Sequence, residues 1–482
     1  MVDKSIQKKI LVSFIYSFIG RYSNILISLF VTSILARLIS PTEFGIVAII
    51  NIFLVFFNNL AEMGLGASII QKKVIKKFFI DSLFLFTLFI GGILAISFIA
   101  FSKYILVVYY QNIIYEKLSF YVAINILIST LLIVPRALIV RWKRFKIQGI
   151  QIVISNIISG VIAIVLAYLD FSYYSIIFQG IFMNLLLLLL ICFNIRYSPS
   201  IFFKKEYLKE VFSYSSFVFS SNLINYFGRN LDKILIGKYF GARELGYYDR
   251  GYRLMLFPLS IFPYILNSIL HPIFARYQNN FERIYVEYLK ILKELVMIGV
   301  FIAIFTFFSA EEIIFLLYGK QWDNTVIILK ILSISIIVQI GASTTGGIYL
   351  ALGESKKMFF YTGIYSLLLI FATILGIYKR NIVLLCIYLV LSFFIGGYIL
   401  YRGLLKIFKK NFFLFLKEFF NSYILSILLI LFNFLYREFI CIENLYLNLI
   451  LKLLLNLSLL LLFYIKKIYL IYKILIKKEV QI

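Results

Sequence analysis

The chain has 482 residues, 62% of them hydrophobic and 15% charged, with a mean hydropathy of +0.98 and a formal net charge of +26. No soluble domain of this length carries so few charges, so the composition describes a polytopic membrane protein. A nucleic-acid partner is excluded by the placement of the charges, which sit beside apolar segments where they anchor topology and meet anionic headgroups.

Apolar runs long enough to cross a bilayer recur at about 11–38, 42–69, 80–108, 117–140, 147–168, 173–195, 211–237, 244–275, 286–309, 325–352, 359–378, 382–405, 412–436 and 444–465. Continuous runs of this length are helical, whereas a barrel strand needs about ten alternating residues. The expectation is therefore an all-α fold of about 14 spans. Residues before Leu11 are too polar for a signal-peptide core, and the run that follows is too long for one, so it reads as a retained span.

Lys and Arg cluster in every second loop. One side holds Lys4, Lys8 and Lys9, then Lys72, Lys73, Lys76 and Lys77, then Arg141, Lys143, Arg144 and Lys146, and continues to the tail with Lys466, Lys467, Lys473, Lys477 and Lys478. The opposite loops carry only scattered cations such as Arg37, Lys103, Lys238 and Lys320. The basic side is expected to be cytoplasmic, with both termini on it.

No loop is long enough for a soluble catalytic domain. A phosphate-binding Gly-Lys-Ser/Thr is absent, and Gly64 and Gly66 form a Gly-x-Gly inside an expected span with no third glycine following. Cys192, Cys386 and Cys441 are scattered, and His271 is the sole histidine, so neither a metal spacing nor a histidine relay is present. No cofactor is expected, and the chain does not read as an enzyme.

An internal repeat is visible. Arg37-Leu38-Ile39-Ser40-Pro41-Thr42-Glu43-Phe44-Gly45 aligns with Lys238-Tyr239-Phe240-Gly241-Ala242-Arg243-Glu244-Leu245-Gly246 at an offset of 201 residues, which also places Asn24 over Asn225. Six spans separate the copies, so the repeat is parallel, as in transporters built of two halves. The expected organisation is an N-terminal lobe over 1–200, a second over 201–408, and two appended helices with a basic tail over 409–482.

Charges within spans mark candidate functional positions, because each costs roughly 2.5–3.5 kcal/mol in hydrocarbon unless it faces a partner or a cavity. The first span carries Ser17, Arg21, Asn24, Ser28 and Thr32 as one polar stripe; the seventh carries Ser215, Asn222, Asn225, Arg229, Asp232 and Lys233; the eighth adds Asp249, Arg250 and Arg253. Simpler readings exist for some. Asp232 can pair with Arg229 and Asp249 with Arg253, and the eighth-span group can snorkel to the interface. Arg136 reads as an anchor at a span end, and Lys330 and Lys452 read as interfacial. Arg21 and Arg229 lie near mid-span and point to a cavity. A cavity lined by this basic set suits an anion such as a diphosphate headgroup, which guanidinium groups bind bidentately. Tyr226 is one of many tyrosines able to stack on a sugar. Pro258 and Pro263 can bend the eighth span, and Pro41 suits the start of the second.

The stretch from Leu35 to Gly45, the segment Glu62-Met63-Gly64-Leu65-Gly66-Ala67-Ser68 and its continuation to Lys72, NYFGRNLDKILIG from Asn225, GYYDRGYRLMLFP from Gly246 and GGIYLALG from Gly346 resemble bacterial polysaccharide exporters. These belong to the flippase branch of the multidrug/oligosaccharidyl-lipid/polysaccharide superfamily, and the similarity runs from the first span to about the eleventh. The resemblance implies two six-helix lobes in a V, MATE-like, plus two helices, around a cationic cavity. It implies that an undecaprenyl-diphosphate-linked oligosaccharide is turned from the inner to the outer leaflet of the cytoplasmic membrane, alongside membrane lipids and a polysaccharide polymerase with its chain-length machinery. Arg229 and Asp232 match the motif of the seventh span, and Asp249, Arg250 and Arg253 that of the eighth. The expected substrate-binding set is Arg21, Asn24, Asn225, Arg229, Lys233, Arg250 and Arg253, with Asp232 or Glu62 as the ion-linked acid. The rivals are a cation-coupled drug exporter, which would want acidic cavity residues, and a polysaccharide polymerase, which would want a large outer loop.

Overall fold

The computed structural model describes residues 4–72, 74–195, 197, 200–208, 226, 229–275, 280–440 and 442–479, with side chains left aside at 4–19, 21, 262–275 and 466–479. The described residues are helical apart from turns and short connections. In chain order the helices are α1 Lys4–Leu38, α2 Pro41–Glu62, α3 Leu65–Gln71, α4 Lys77–Phe101, α5 Val107–Tyr110, α6 Ile114–Leu131, α7 Ile133–Arg141, α8 Phe145–Tyr168 and α9 Tyr173–Ile195, then α10 over 229–239. They continue with α11 Ala242–Ala275, α12 Phe281–Phe308, α13 Ala310–Leu317, α14 Asp323–Ser333, α15 Ile336–Ala351, α16 Ser355–Tyr378, α17 Ile382–Phe408, α18 Phe412–Lys417, α19 Phe420–Phe439 and α20 Leu445–Glu479.

Among the described residues ten helical stretches are long and apolar enough to span a membrane, and an eleventh forms if a bent pair counts as one. The protein is a multi-pass membrane protein. The other expected spans fall on α1, on the charged α11 and on 211–237, most of which lies outside the described residues.

Local chemistry sets the helix ends. Ser40 caps α2: its hydroxyl accepts from the Glu43 N–H at 3.4 Å, and the Glu43 carboxylate accepts from the Ser40 N–H at 2.8 Å, with Pro41 in the first turn as expected. The expected span 42–69 is interrupted: Met63 and Gly64 take left-handed conformations with φ of 36° and 78°, so α2 ends there and α3 begins. Gly64 thus sits in a break rather than inside a span. The break between α6 and α7 has a similar local cause. Pro135 lacks an N–H and crowds the carbonyl four residues earlier, at Leu131, where α6 ends. The expected span 325–352 also departs from a straight helix, since it bends by 59° between Ser333 and Ile336. Through Pro258 and Pro263, in contrast, α11 runs as one unbroken helix.

The chain divides into two compact units, Met1–Gly246 and Tyr247–Ile482. In the first, α8 packs along α1, with Gly20 against Gly149 and Gly160 against Val31. Between these contacts the Asn156 amide donates to the Asn24 side-chain oxygen at 2.6 Å and to the Ser28 hydroxyl at 3.0 Å. Asn184 donates to Asn125 at 2.8 Å, and Ser129 to Asn58 at 2.7 Å. Neutral amides and hydroxyls therefore join these helices, as suits hydrocarbon surroundings. In the second unit, α12, α15, α17 and α18 bury Ile284, Tyr288, Leu292, Ile348, Tyr349, Leu404, Phe408 and Phe415 together. Helix α20 is tied to α13 by an ion pair between Lys452 and Glu312, both nearly buried, and Asn448 donates to Glu312 at 2.9 Å. Lys452, expected at the interface, is instead an inward cation.

Candidate functional site

The candidate residues occupy three helices. On α1 the side chain of Arg21 lies outside the described residues, whereas Asn24 and Ser28 are committed to Asn156 on α8. The polar stripe of α1 is therefore, at these two positions, a helix-to-helix seam. Its signal lay in the partner: Asn156 belongs to a polar run on α8 with Gln151, Ser155 and Ser159, all buried.

The α10 residues fall within the first unit, and Asn225 lies outside the described residues. Arg229 is exposed and Lys233 half-buried, four residues apart on one face, while Asp232 is buried. Two contacts hold α10 in place, and a third holds Tyr226 just before it. The Tyr226 hydroxyl donates to the Ile52 carbonyl of α2, so that tyrosine is a strut. The Tyr110 hydroxyl donates to the Ile234 carbonyl at 3.2 Å, and the Lys238 ammonium donates to the Tyr109 carbonyl. Glu62, at the end of α2, is exposed and interacts electrostatically with Arg136.

At the start of α11 the two copies of the repeat meet. A Cβ on Gly45 would overlap the carbonyl oxygen of Ala242, and a Cβ on Gly246 would overlap that of Pro41. Pro41 and Gly45 are the repeat counterparts of Ala242 and Gly246, so the contact is reciprocal, each copy presenting its glycine to the other's first helical residue. Both positions need glycine because backbone approaches backbone there.

One turn further on, in the second unit, Asp249, Arg250 and Arg253 form an ion cluster. A single carboxylate oxygen of Asp249 accepts from Arg250 Nη2 at 2.7 Å and from Arg253 Nε at 2.7 Å. The Asp249 and Arg250 side chains are 1% and 10% exposed, and that of Arg253 is 49% exposed. The expected Asp249–Arg253 pair is present, and burial of Asp249 and Arg250 rules out snorkelling for both. Neighbouring packing fixes this turn: Gly251 faces Ile328 and Thr325 of α14, and Tyr247 meets Trp322 edge-on at 6.0 Å. No cluster of metal-ligating side chains occurs among the described residues.

Comparison with known proteins agrees with this arrangement. The family described as "Polysaccharide biosynthesis protein" matches residues 34–327. Teichuronic acid biosynthesis protein TuaB of Bacillus subtilis (strain 168) is 25% identical over 409 residues, covering 82% of this chain and 83% of the relative. Succinoglycan biosynthesis transport protein ExoT of Rhizobium meliloti (strain 1021) is 23% identical over 338 residues, 68% of this chain and 66% of the relative. Among solved structures, the lipid II flippase MurJ in an inward closed conformation covers 95% of this chain and 100% of its own, with a TM-score of 0.73 at 18% identity. An inward-facing MATE multidrug transporter of the MOP superfamily covers 81% and 96%, with a TM-score of 0.61 at 16% identity. The fold is thus that of MurJ and the MATE transporters, and with more than half its length matched by one family model, the chain belongs to the polysaccharide biosynthesis protein family.

Proposed function

We propose that this protein is a flippase that carries a lipid-linked oligosaccharide across the cytoplasmic membrane by alternating access. The observation that carries the reading is an excess of arginine and lysine on the polar faces of α10 and α11, in a fold shared with a lipid II flippase. A lipid diphosphate needs such cations, since buried phosphate charge is otherwise too costly to bring into the membrane. A drug exporter for cations would want the opposite sign.

In this reading Arg21, Asn225, Arg229, Lys233 and Arg253 face the diphosphate or the sugar path, and Arg250 supports that site from its buried position on Asp249. Asn24 contributes through its backing by Asn156, and Asp232 or Glu62 is the ion-linked acid. The halves are 1–200 and 201–408, with 409–482 appended, and the reciprocal contact of Gly45 and Gly246 supports descent from one parallel repeat. Both termini are cytoplasmic on the positive-inside argument, and a polysaccharide polymerase acts on what is delivered outside.

The test is genetic. Deleting the gene is expected to remove surface glycan and leave complete, unpolymerised repeat units on the inner leaflet. Arg229→Ala should reproduce this loss while protein level and membrane insertion persist. Unchanged surface glycan in Arg229→Ala would remove that residue from the path. Repeat units that reach the outer leaflet unpolymerised in the deletion strain would identify a polymerase instead.

A further inference from the structure

The three-residue ion cluster at the start of α11 divides labour among its members. Asp249 and Arg250 are almost fully out of solvent, whereas half of the Arg253 side chain is accessible. Arg253 gives only its Nε to Asp249, and it hydrogen-bonds no other described residue. A guanidinium has five N–H donors, so four remain on the two terminal nitrogens, the edge that grips a phosphate bidentately. Arg250 donates to the same carboxylate oxygen from a buried position, so of the two arginines on Asp249 only Arg253 reaches solvent.

We propose that Asp249 is a positioning residue that holds Arg253, by its Nε, as the phosphate-facing group of the substrate site. The ligand class is a phosphate or diphosphate ester. The proposal rests on the flippase reading and deepens it by separating residues that the sequence treats alike.

A positioning role and a purely electrostatic one predict opposite signs. If Asp249 only added negative charge near the ligand, Asp249→Asn would strengthen anion binding. If it orients Arg253, the same change weakens binding although the site becomes more positive. The experiment measures undecaprenyl diphosphate binding to the purified full chain in nanodiscs, with melting temperature as a parallel readout. Arg253→Gln and Arg253→Lys should each weaken binding about tenfold or more, the lysine because it keeps the charge but not the fork. Asp249→Asn should weaken binding in the unaltered chain and add no loss in an Arg253→Gln background, because it acts through that arginine. Lys at position 253 binding as well as arginine would overturn the proposal, and so would equal or tighter binding by Asp249→Asn. If Asp249→Asn fails to fold, the exposed Arg253→Lys variant still decides. No binding by the unaltered chain would overturn the flippase reading itself, together with this inference.

Discussion

The α1–α8 seam of the first unit and the α13–α20 junction of the second solve one problem with different chemistry. Both join helices in a medium where apolar contact alone gives little net attraction. The seam uses an asparagine between an amide and a hydroxyl, flanked by close glycine contacts. The junction uses a full ion pair, Lys452 with Glu312, backed by Asn448 and by an Asn433–Asn456 amide pair at 2.7 Å. Neutral glue is cheap to break and tolerant of sliding. A buried ion pair is weakly stabilising while intact but strongly destabilising when halved, because the survivor has no water to turn to. The appended helices are therefore fastened in an all-or-none way, and α1 is not.

This contrast can be broken at several strengths. The largest effect is expected at the ion pair. Glu312→Gln leaves Lys452 buried without its counter-charge and should lower stability by about 3–5 kcal/mol, whereas Glu312→Gln with Lys452→Met should recover most of it. Thermal melting of the two purified variants measures this, and equal melting temperatures would mean that the pair is solvated. A middle effect is expected at the repeat contact. Gly45→Ala or Gly246→Ala should each cost about 1–3 kcal/mol, since a methyl meets a backbone carbonyl that cannot rotate away. The double variant should cost less than the sum, because one forced separation relieves both overlaps. Smallest is the seam: Asn156→Ala removes two side-chain hydrogen bonds and should cost only about 1 kcal/mol, at roughly 0.6 kcal/mol for each intramembrane bond. A loss as large as that of Glu312→Gln would erase the distinction between the two regions.

Hydropathy made the helices legible, since long apolar runs leave the backbone no other way to satisfy itself in lipid. The Pro41 start and the Asp249–Arg253 pair were also legible, because the residues that decide them lie within four positions. What stayed hidden depends on distant partners. Lys452 looks interfacial by its place near a span end, and only folding brings Glu312 to it across 140 residues. Spacing shows Asn24 only as part of a polar stripe, and its partner Asn156 is 132 residues away. Periodicity shows that a face is polar and not what meets it. The 59° bend before α15 was hidden differently, because the residues around it are apolar enough to read as one continuous run.

The reciprocal glycine contact also bears on how the chain is made. Gly45 emerges early, but Ala242 and Gly246, which close over it, come about 200 residues later, or roughly 10–40 s at ordinary rates of synthesis. Through that interval the first turn of α2 waits in the bilayer with its notch unfilled. A helix able to wait needs its own end secured locally, which the reciprocal bonds between Ser40 and Glu43 supply without any other part of the chain. The early cap and the late partner thus set an order of assembly, in which the first unit is completed only when the opening turn of α11 has been delivered.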